Sequence, residues 1–168
     1  MITGFPYRNS LVSHWLTVCM LDTGDTAPAF ELQDQHGEAV SLEEFEGLVV
    51  VYFYPRADTP GCTTEACRFR DRWEEFEQRG IDVVGISDDP IDDLADFAGE
   101  YNLPIMLLSD EDGTVASAYD SYGEKSMFGN TFDGVFRNTY VVEDGEIVAV
   151  YEGVDPKGHA DEILANLA

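Results

Sequence analysis

Cys62 and Cys67 stand five residues apart in the stretch VVVYFYPRADTPGCTTEAC, residues 49–67 of a 168-residue chain whose third cysteine, Cys19, lies far upstream. The apolar run breaks at Tyr54-Pro55, and Thr59-Pro60 then has the form of a helix start. Thr59 suits the N-cap, and proline suits the first helical position, where a missing N–H costs nothing. Cys62 would fall in the first turn, where unpaired backbone N–H groups and the positive end of the helix dipole favour an anion. A thiol so placed is drawn toward the thiolate, the form that attacks electrophiles. An isolated cysteine is more often a small buried hydrophobe; directly after Thr-Pro-Gly, at a strand-to-helix junction, the balance turns toward a nucleophile.

Cys67 adds a second thiol on the same helix. Residues i and i+5 differ by about 140° in direction, and their Cα atoms are roughly 8–9 Å apart in an intact helix. A disulfide needs Cα atoms within about 7 Å. The two sulfurs can therefore bond only if the first turns unwind, and helix ends are where opening is cheapest. Such spacing describes a switch and not a staple. Zinc is the other common use of neighbouring cysteines, but C-x4-C is loose for a knuckle, and His14, His36 and His159 are scattered. No metal or cofactor is expected.

The elements that must position these thiols follow from periodicity. FELQDQHGEAVSL reads as a hairpin turning at His36-Gly37, and Leu48 to Tyr54 as a strand covered on both faces. Cys62, Ala66, Phe69, Trp73 and Phe76 trace one inward stripe of a single helix that runs to Arg79 and stops at Gly80. Ile81 to Ser87 is a second buried strand, Ile91 to Tyr101 a helix, and PIMLLSD a third strand. A short helix is expected after Gly113, up to about Tyr122. FRNTYVVEDGEIVAVYEG is expected to form two strands hinged at Asp144-Gly145, with a closing helix from Lys157. This order predicts an α/β architecture with a central mixed β-sheet flanked by helices and an N-terminal β-hairpin. A thioredoxin-like topology fits, although other doubly wound folds share the pattern.

The run PRADTPGCTTEAC resembles the active-site signature of peroxiredoxins, Pro-x3-Thr-x2-Cys, in Pro55, Thr59 and Cys62. With Cys67 it is similar to the peroxiredoxin Q, or bacterioferritin-comigratory, group. The likeness extends from about Asp22 to the C-terminus, through GDTAPAFELQDQHGEAVSL, LLSDEDG and YGEKSMFGNTFDGVFRNTYVVEDG; Tyr122 stands where a tryptophan is expected. The resemblance implies a thioredoxin-like fold and a thiol peroxidase acting in antioxidant defence. Cys62 would be the peroxidatic cysteine and Thr59 the hydroxyl that orients thiolate and peroxide. Pro55 would shield the site from water, and Arg137 would stabilise the thiolate and polarise the peroxide. Cys67 would resolve the sulfenic acid as an intramolecular disulfide, which a thioredoxin or glutaredoxin-like reductant then reduces. Arg137 is assigned by the resemblance alone. Two other functions remain open: a thiol–disulfide oxidoreductase, which lacks a second cysteine at the position of Thr59, and a non-catalytic chaperone or salt-stress binding protein, for which no positive feature is present.

The chain suits one domain. Residues 1–20 stand apart, with Arg8 their only formal charge and no Asp or Glu. Their apolar stretch is too short to span a bilayer, and it lacks the small residues of a signal-peptide cleavage site. LTVC only faintly resembles a lipoprotein box. We expect a non-native or disordered extension over 1–20, natural initiation at Met20, and a domain over 21–168. Three unevenly spaced cysteines suit a reducing cytoplasm better than a secreted disulfide framework. A monomer or weak dimer is expected. With 34 acidic against 9 basic residues, the formal charge is −25, which excludes nucleic-acid binding by counterion release; no membrane partner is expected either. Such a surface suits concentrated salt, where a Debye length of about 3 Å at 1 M screens self-repulsion. The thermal midpoint should accordingly rise between dilute buffer and molar potassium chloride, and a midpoint indifferent to salt would reject that adaptation.

Overall fold

The computed structural model describes residues 21–167. The proposed extension, and Cys19 with it, lies outside the described residues.

The longest buried run builds the centre. Strand β3 (Leu48–Phe53) pairs in parallel with β4 (Asp82–Ser87) and antiparallel with β8 (Thr139–Glu143). Its side chains alternate between two cores. Val50 and Tyr52 face one; Val49, Val51 and Phe53 face the other. That double coverage is why the run is apolar without a polar alternate. The full sheet is ordered β2-β1-β5-β4-β3-β8-β9, with β1 (Glu31–Asp34), β2 (Ala39–Ser41), β5 (Met106–Ser109) and β9 (Glu146–Tyr151). Strands β3, β4 and β5 are parallel; the expected N-terminal hairpin adds through β1, antiparallel to β5. The Asp144-Gly145 hinge is also present, with both residues at positive φ, as a two-residue hairpin requires.

Helices cover both faces. Helices α1 (Pro60–Asp71), α2 (Trp73–Gln78), α3 (Ile91–Tyr101) and α5 (His159–Asn166) bury Phe69, Phe76, Phe97 and Ile163 against Tyr52 and its neighbours. Helix α4 (Thr114–Ala118) and the segment before β1 cover the other side, through Ala116 and Phe30. Among the described residues no helix is long and apolar enough to cross a membrane.

Three sequence expectations need correction. The single helix from Cys62 to Arg79 is two helices, because Arg72 leaves the helical well at φ −106, ψ 11. Arginine is a good helix former, so local propensity does not mark the break; Arg72 sits where α5 packs, its Nε donating to Asp161 at 2.7 Å. The stripe survives the break, with the Phe69 and Phe76 rings 5.6 Å apart. The helix after Gly113 ends at Ala118, and Tyr122 opens a two-stranded antiparallel hairpin, β6 (Tyr122–Met127) and β7 (Asn130–Val135), which was not anticipated. Its turn puts Phe128 and Gly129 at positive φ, a conformation normally advertised by Asn-Gly or Asp-Gly and uncommon for phenylalanine. Finally, Phe136, Arg137 and Asn138 precede β8 and do not belong to it.

One packing contact fixes α1 against the sheet. Tyr52 stacks on Phe69 with ring centroids 4.7 Å apart, and its cross-strand partner in β4 is Gly85. A Cβ at Gly85 would lie 2.8 Å from Tyr52 Cζ, and Tyr52 is fully buried, so its ring has nowhere to retreat. Gly85→Ala should cost about 1–3 kcal/mol through overpacking. In urea denaturation the midpoint should fall with the slope unchanged; an unmoved midpoint would show that the ring is free to shift.

Candidate active site

The parallel strands β3 and β4 end on the same side of the sheet, and the loop leaving β3 carries Pro55 to Thr59 into α1. This loop is tied down from β4. Buried Asp89 accepts from the Ala57 backbone N–H at 2.7 Å and from Ser87 Oγ at 2.8 Å, with the Arg56 guanidinium 3.8 Å away. Asp58 turns through positive φ and accepts from the Tyr101 hydroxyl of α3 at 3.0 Å. The start of α1 is thus held from two neighbouring elements.

Thr59 occupies the N-cap position with extended φ/ψ, and Pro60 is the first helical residue, as the sequence suggests. The expected side-chain cap is not made. Thr59 Oγ1 instead donates to the Arg56 carbonyl at 2.8 Å, closing the turn that precedes the helix. Its proton is committed, and its lone pairs remain free to accept. The first intrahelical bond runs from Thr63 N to Thr59 O, so Gly61 and Cys62 keep backbone N–H groups of the unpaired first turn. Cys62 is buried, 1% exposed, and Cys67 is half-buried; both are free thiols on an unbroken helix.

The loop before β8 brings the cation. Arg137 Nη2 donates to Cys62 Sγ at 3.5 Å, and Nη1 donates to Glu65 Oε1 at 2.9 Å. Its backbone is clamped: the Arg137 carbonyl accepts from Val154 N, and the Asn138 carbonyl accepts from Phe53 N of β3. The Asn138 side chain spans Ser121 and Gly153. Gly61 clears the approach, since a Cβ there would lie 3.0 Å from Arg137 Nη2. Burial works against the Arg137 charge, but Cys62 and Glu65 outweigh it and raise its pKa.

Sequence reasoning missed two of these contributors. Glu65 is 0% exposed, and its Oε2 has no partner among the described residues. Burial pushes its carboxyl up to about 7, with Arg137 pulling the other way. One acid among 34 gives no local sign that it points inward. Gly61 could have been noticed as a spatial requirement, although Pro-Gly alone reads as a helix start. Tyr52 and Tyr54 share the core cluster with Cys62, and burial raises both phenol pKa values, keeping them protonated.

Pro55 and Arg137 line an open cleft of about 560 Å³ together with Lys125, Phe136, Asp120 and Glu152. A second cavity of about 540 Å³, near Leu42, Phe45 and Gly145, lies at the far end of β3, away from both thiols. Of the five residues singled out from sequence, Cys62 and Arg137 are in contact, Pro55 borders Arg137 at the cleft, and Thr59 closes the entering turn. Cys67 shares α1 with Cys62 but is not bonded to it. Among the described residues no group of three or more His, Cys, Asp or Glu is disposed to hold a metal ion.

Residues 23–150 match the AhpC/TSA family. The chain belongs to that family and is a peroxiredoxin. It is 48% identical over 150 residues to a putative peroxiredoxin of Mycobacterium tuberculosis, covering 88% of this chain and 96% of the relative. It is 45% identical to peroxiredoxin Bcp of Escherichia coli, over 86% and 94% of the two chains. Among solved structures, peroxidoxin BcpB of M. tuberculosis superposes with a TM-score of 0.79 at 40% identity, covering 88% and 96%. A Xanthomonas campestris bacterioferritin comigratory protein, described for its alkyl peroxide reduction activity, gives 0.77 at 33%, covering 82% and 89%. The mixed sheet with helices on both faces is the thioredoxin-like fold of these peroxiredoxins.

The Glu65 carboxyl makes a pH prediction. Its pKa is raised on folding, so between its ordinary 4.5 and about 7 the folded protein holds a proton that the unfolded chain has released. Stability must then fall as pH rises through that window, by on the order of 3 kcal/mol. Glu65→Gln lacks this dependence, so urea unfolding at about pH 5 and about pH 8 should show the variant gaining on wild type at the higher pH. Parallel pH profiles would mean that Glu65 is ionised throughout.

Proposed function

We propose that this peroxiredoxin reduces hydrogen peroxide and organic hydroperoxides through Cys62. The observation that carries this is the Arg137 guanidinium, 3.5 Å from a buried sulfur in the first turn of α1. A fixed cation and two unpaired N–H groups favour the thiolate there. The thiolate attacks the terminal peroxide oxygen. An S–O bond forms, the O–O bond breaks, and its electron pair leaves with the alcohol or water oxygen, so Cys62 becomes a sulfenic acid. Arg137 has donors enough for both sulfur and peroxide, Thr59 offers an acceptor for the peroxide O–H, and Pro55 limits water at the mouth. The electrons come from sulfur, so no bound cofactor is needed. The alkyl peroxide reduction reported for the Xanthomonas relative supports organic substrates.

Cys67 then resolves the intermediate. Its thiol condenses with the sulfenic acid, releasing water and forming an intramolecular disulfide, which a thioredoxin or glutaredoxin-like dithiol reduces. The wound α1 is the reduced, attacking state; its first turns must open for the sulfurs to meet. Both reacting sulfurs lie in one helix, so a monomer or weak dimer suffices. A cycle that must return to free thiols suits the reducing cytoplasm. Its role would be antioxidant defence, since rapid capture by Cys67 protects Cys62 from irreversible over-oxidation.

Peptide mapping after one equivalent of hydrogen peroxide tests this directly. Wild type should yield a Cys62–Cys67 cross-link, and Cys62→Ser none. Cys67→Ser should accumulate sulfenic acid that a dimedone probe traps, and should stall with a thioredoxin donor. Two untouched thiols in the wild type would overturn the proposal.

A further inference from the structure

The attack leaves one step without an assigned residue. Hydroxide or alkoxide departs from the broken O–O bond, a strong base in a partly desolvated cleft where an unpaired charge is expensive. It needs a proton. Arg137 does not release one, and the Thr59 hydroxyl proton is committed to the Arg56 carbonyl. Of the other residues lining the cleft, Pro55 and Phe136 have no proton to give, and Asp120 and Glu152 present carboxylate acceptors. The Asn138 amide is engaged with Ser121 and Gly153.

Lys125 remains. It is one of only two lysines in the chain, and it lines the same cleft as Pro55 and Arg137. Its Nζ donates to the Val135 carbonyl at 2.8 Å and lies 6.0 Å from the Phe136 ring centroid. An ammonium has three donors, so two remain. Despite 34 acidic residues in the chain, no carboxylate comes within 4.0 Å of this nitrogen among the described residues. A salt bridge is therefore not what holds it. The fold makes room for it instead: a Cβ at Gly134 of β7, which has no positive φ to demand glycine, would lie 3.1 Å from Lys125 Cδ.

Granting the proposed attack by Cys62, we propose that Lys125 is the acid that protonates the leaving oxygen. The balance is simple. The Cys62 thiolate takes the terminal OH, RO⁻ leaves with the electron pair, and the ammonium passes one proton to give ROH and a neutral amine, which water reprotonates. Burial and the Arg137 charge draw the Lys125 pKa below its ordinary value, with Cys62 and Asp88 opposing, which makes the ammonium a readier donor.

Leaving-group basicity separates this role from binding or structure. Alkoxide needs a proton and acetate does not, so we compare cumene hydroperoxide with peracetic acid, following Cys62 oxidation by stopped-flow. Lys125→Met should slow the cumene hydroperoxide reaction about 100-fold, the lower range for general acids, and the peracetic acid reaction less than about threefold. Lys125→Arg should show the same selectivity, because guanidinium keeps the charge but not a transferable proton. An arginine variant at full speed with cumene hydroperoxide would overturn the proposal, as would a methionine variant that slows both oxidants equally or neither. A wild type that reacts with neither oxidant would instead sink the role of Cys62.

Discussion

A single guanidinium shared between a sulfur and a buried carboxyl organises the rest of this molecule. Arg137 reaches Cys62 with one nitrogen and Glu65 with the other, from a backbone clamped to β3 and to the segment after β9. Two potential anions face one cation away from water. Desolvation makes a buried negative charge costly, and it pushes the Glu65 carboxyl up to about 7 although Arg137 pulls the other way. A Glu65 that holds its proton leaves more of the Arg137 field to sulfur; an ionised Glu65 fixes the guanidinium more firmly but competes for it. Buried pairs of this kind contribute little to net stability, because desolvation offsets attraction. Their value here is placement: Glu65 sets the plane of the guanidinium, and Gly61 lets it approach.

In the proposed cycle the same helix has to satisfy opposite demands. Holding Cys62 beneath Arg137 requires a wound first turn, whereas a bond to Cys67 requires that turn to open. The anchoring is distributed accordingly. Phe69, two turns along, stacks on Tyr52 and contacts Phe76, so the far half of α1 is gripped by aromatic rings. The first turn is Pro-Gly-Cys, preceded by a loop held through polar contacts to Asp89 and Tyr101. Opening from that end takes Cys62 and Ala66 out of the core but leaves the Phe69 anchor in place. A firm anchor at the far end, with the opening confined to a helix end, is what a reversible unwinding needs.

How much of this can be read from sequence depends on whether the cause is local. The buried strand, expected over 48–54 and found over 48–53, the Thr-Pro helix start and the Asp-Gly hinge are written in neighbouring residues. The place of Cys62 in the first helical turn follows from the same local pattern. Arg137 does not: its partner is 75 positions away, and resemblance to a family, not residue pattern, singles it out. Glu65 is invisible because burial of an acid is a three-dimensional fact. The β6–β7 hairpin escapes because its residues are mostly exposed, so no apolar face alternates, and because Phe-Gly forms the turn without the usual asparagine or aspartate. The break at Arg72 is likewise set by packing with α5, where local propensity favours continuation.

The acidic exterior sharpens the problem that the site must solve. A chain of net charge −25 creates a field that disfavours any further anion, and the proposed attack needs an anion at Cys62. Dissolved salt relieves surface repulsion, since exposed charges farther apart than a Debye length hardly interact. It does little for a sulfur that is 1% exposed. The counter-charge must therefore be built in at contact range, and the half-buried Arg137 supplies it. A neutral hydroperoxide crosses such a field without penalty. The surface charge and the Arg137 cation thus act on different scales, and only the second is in contact with the sulfur.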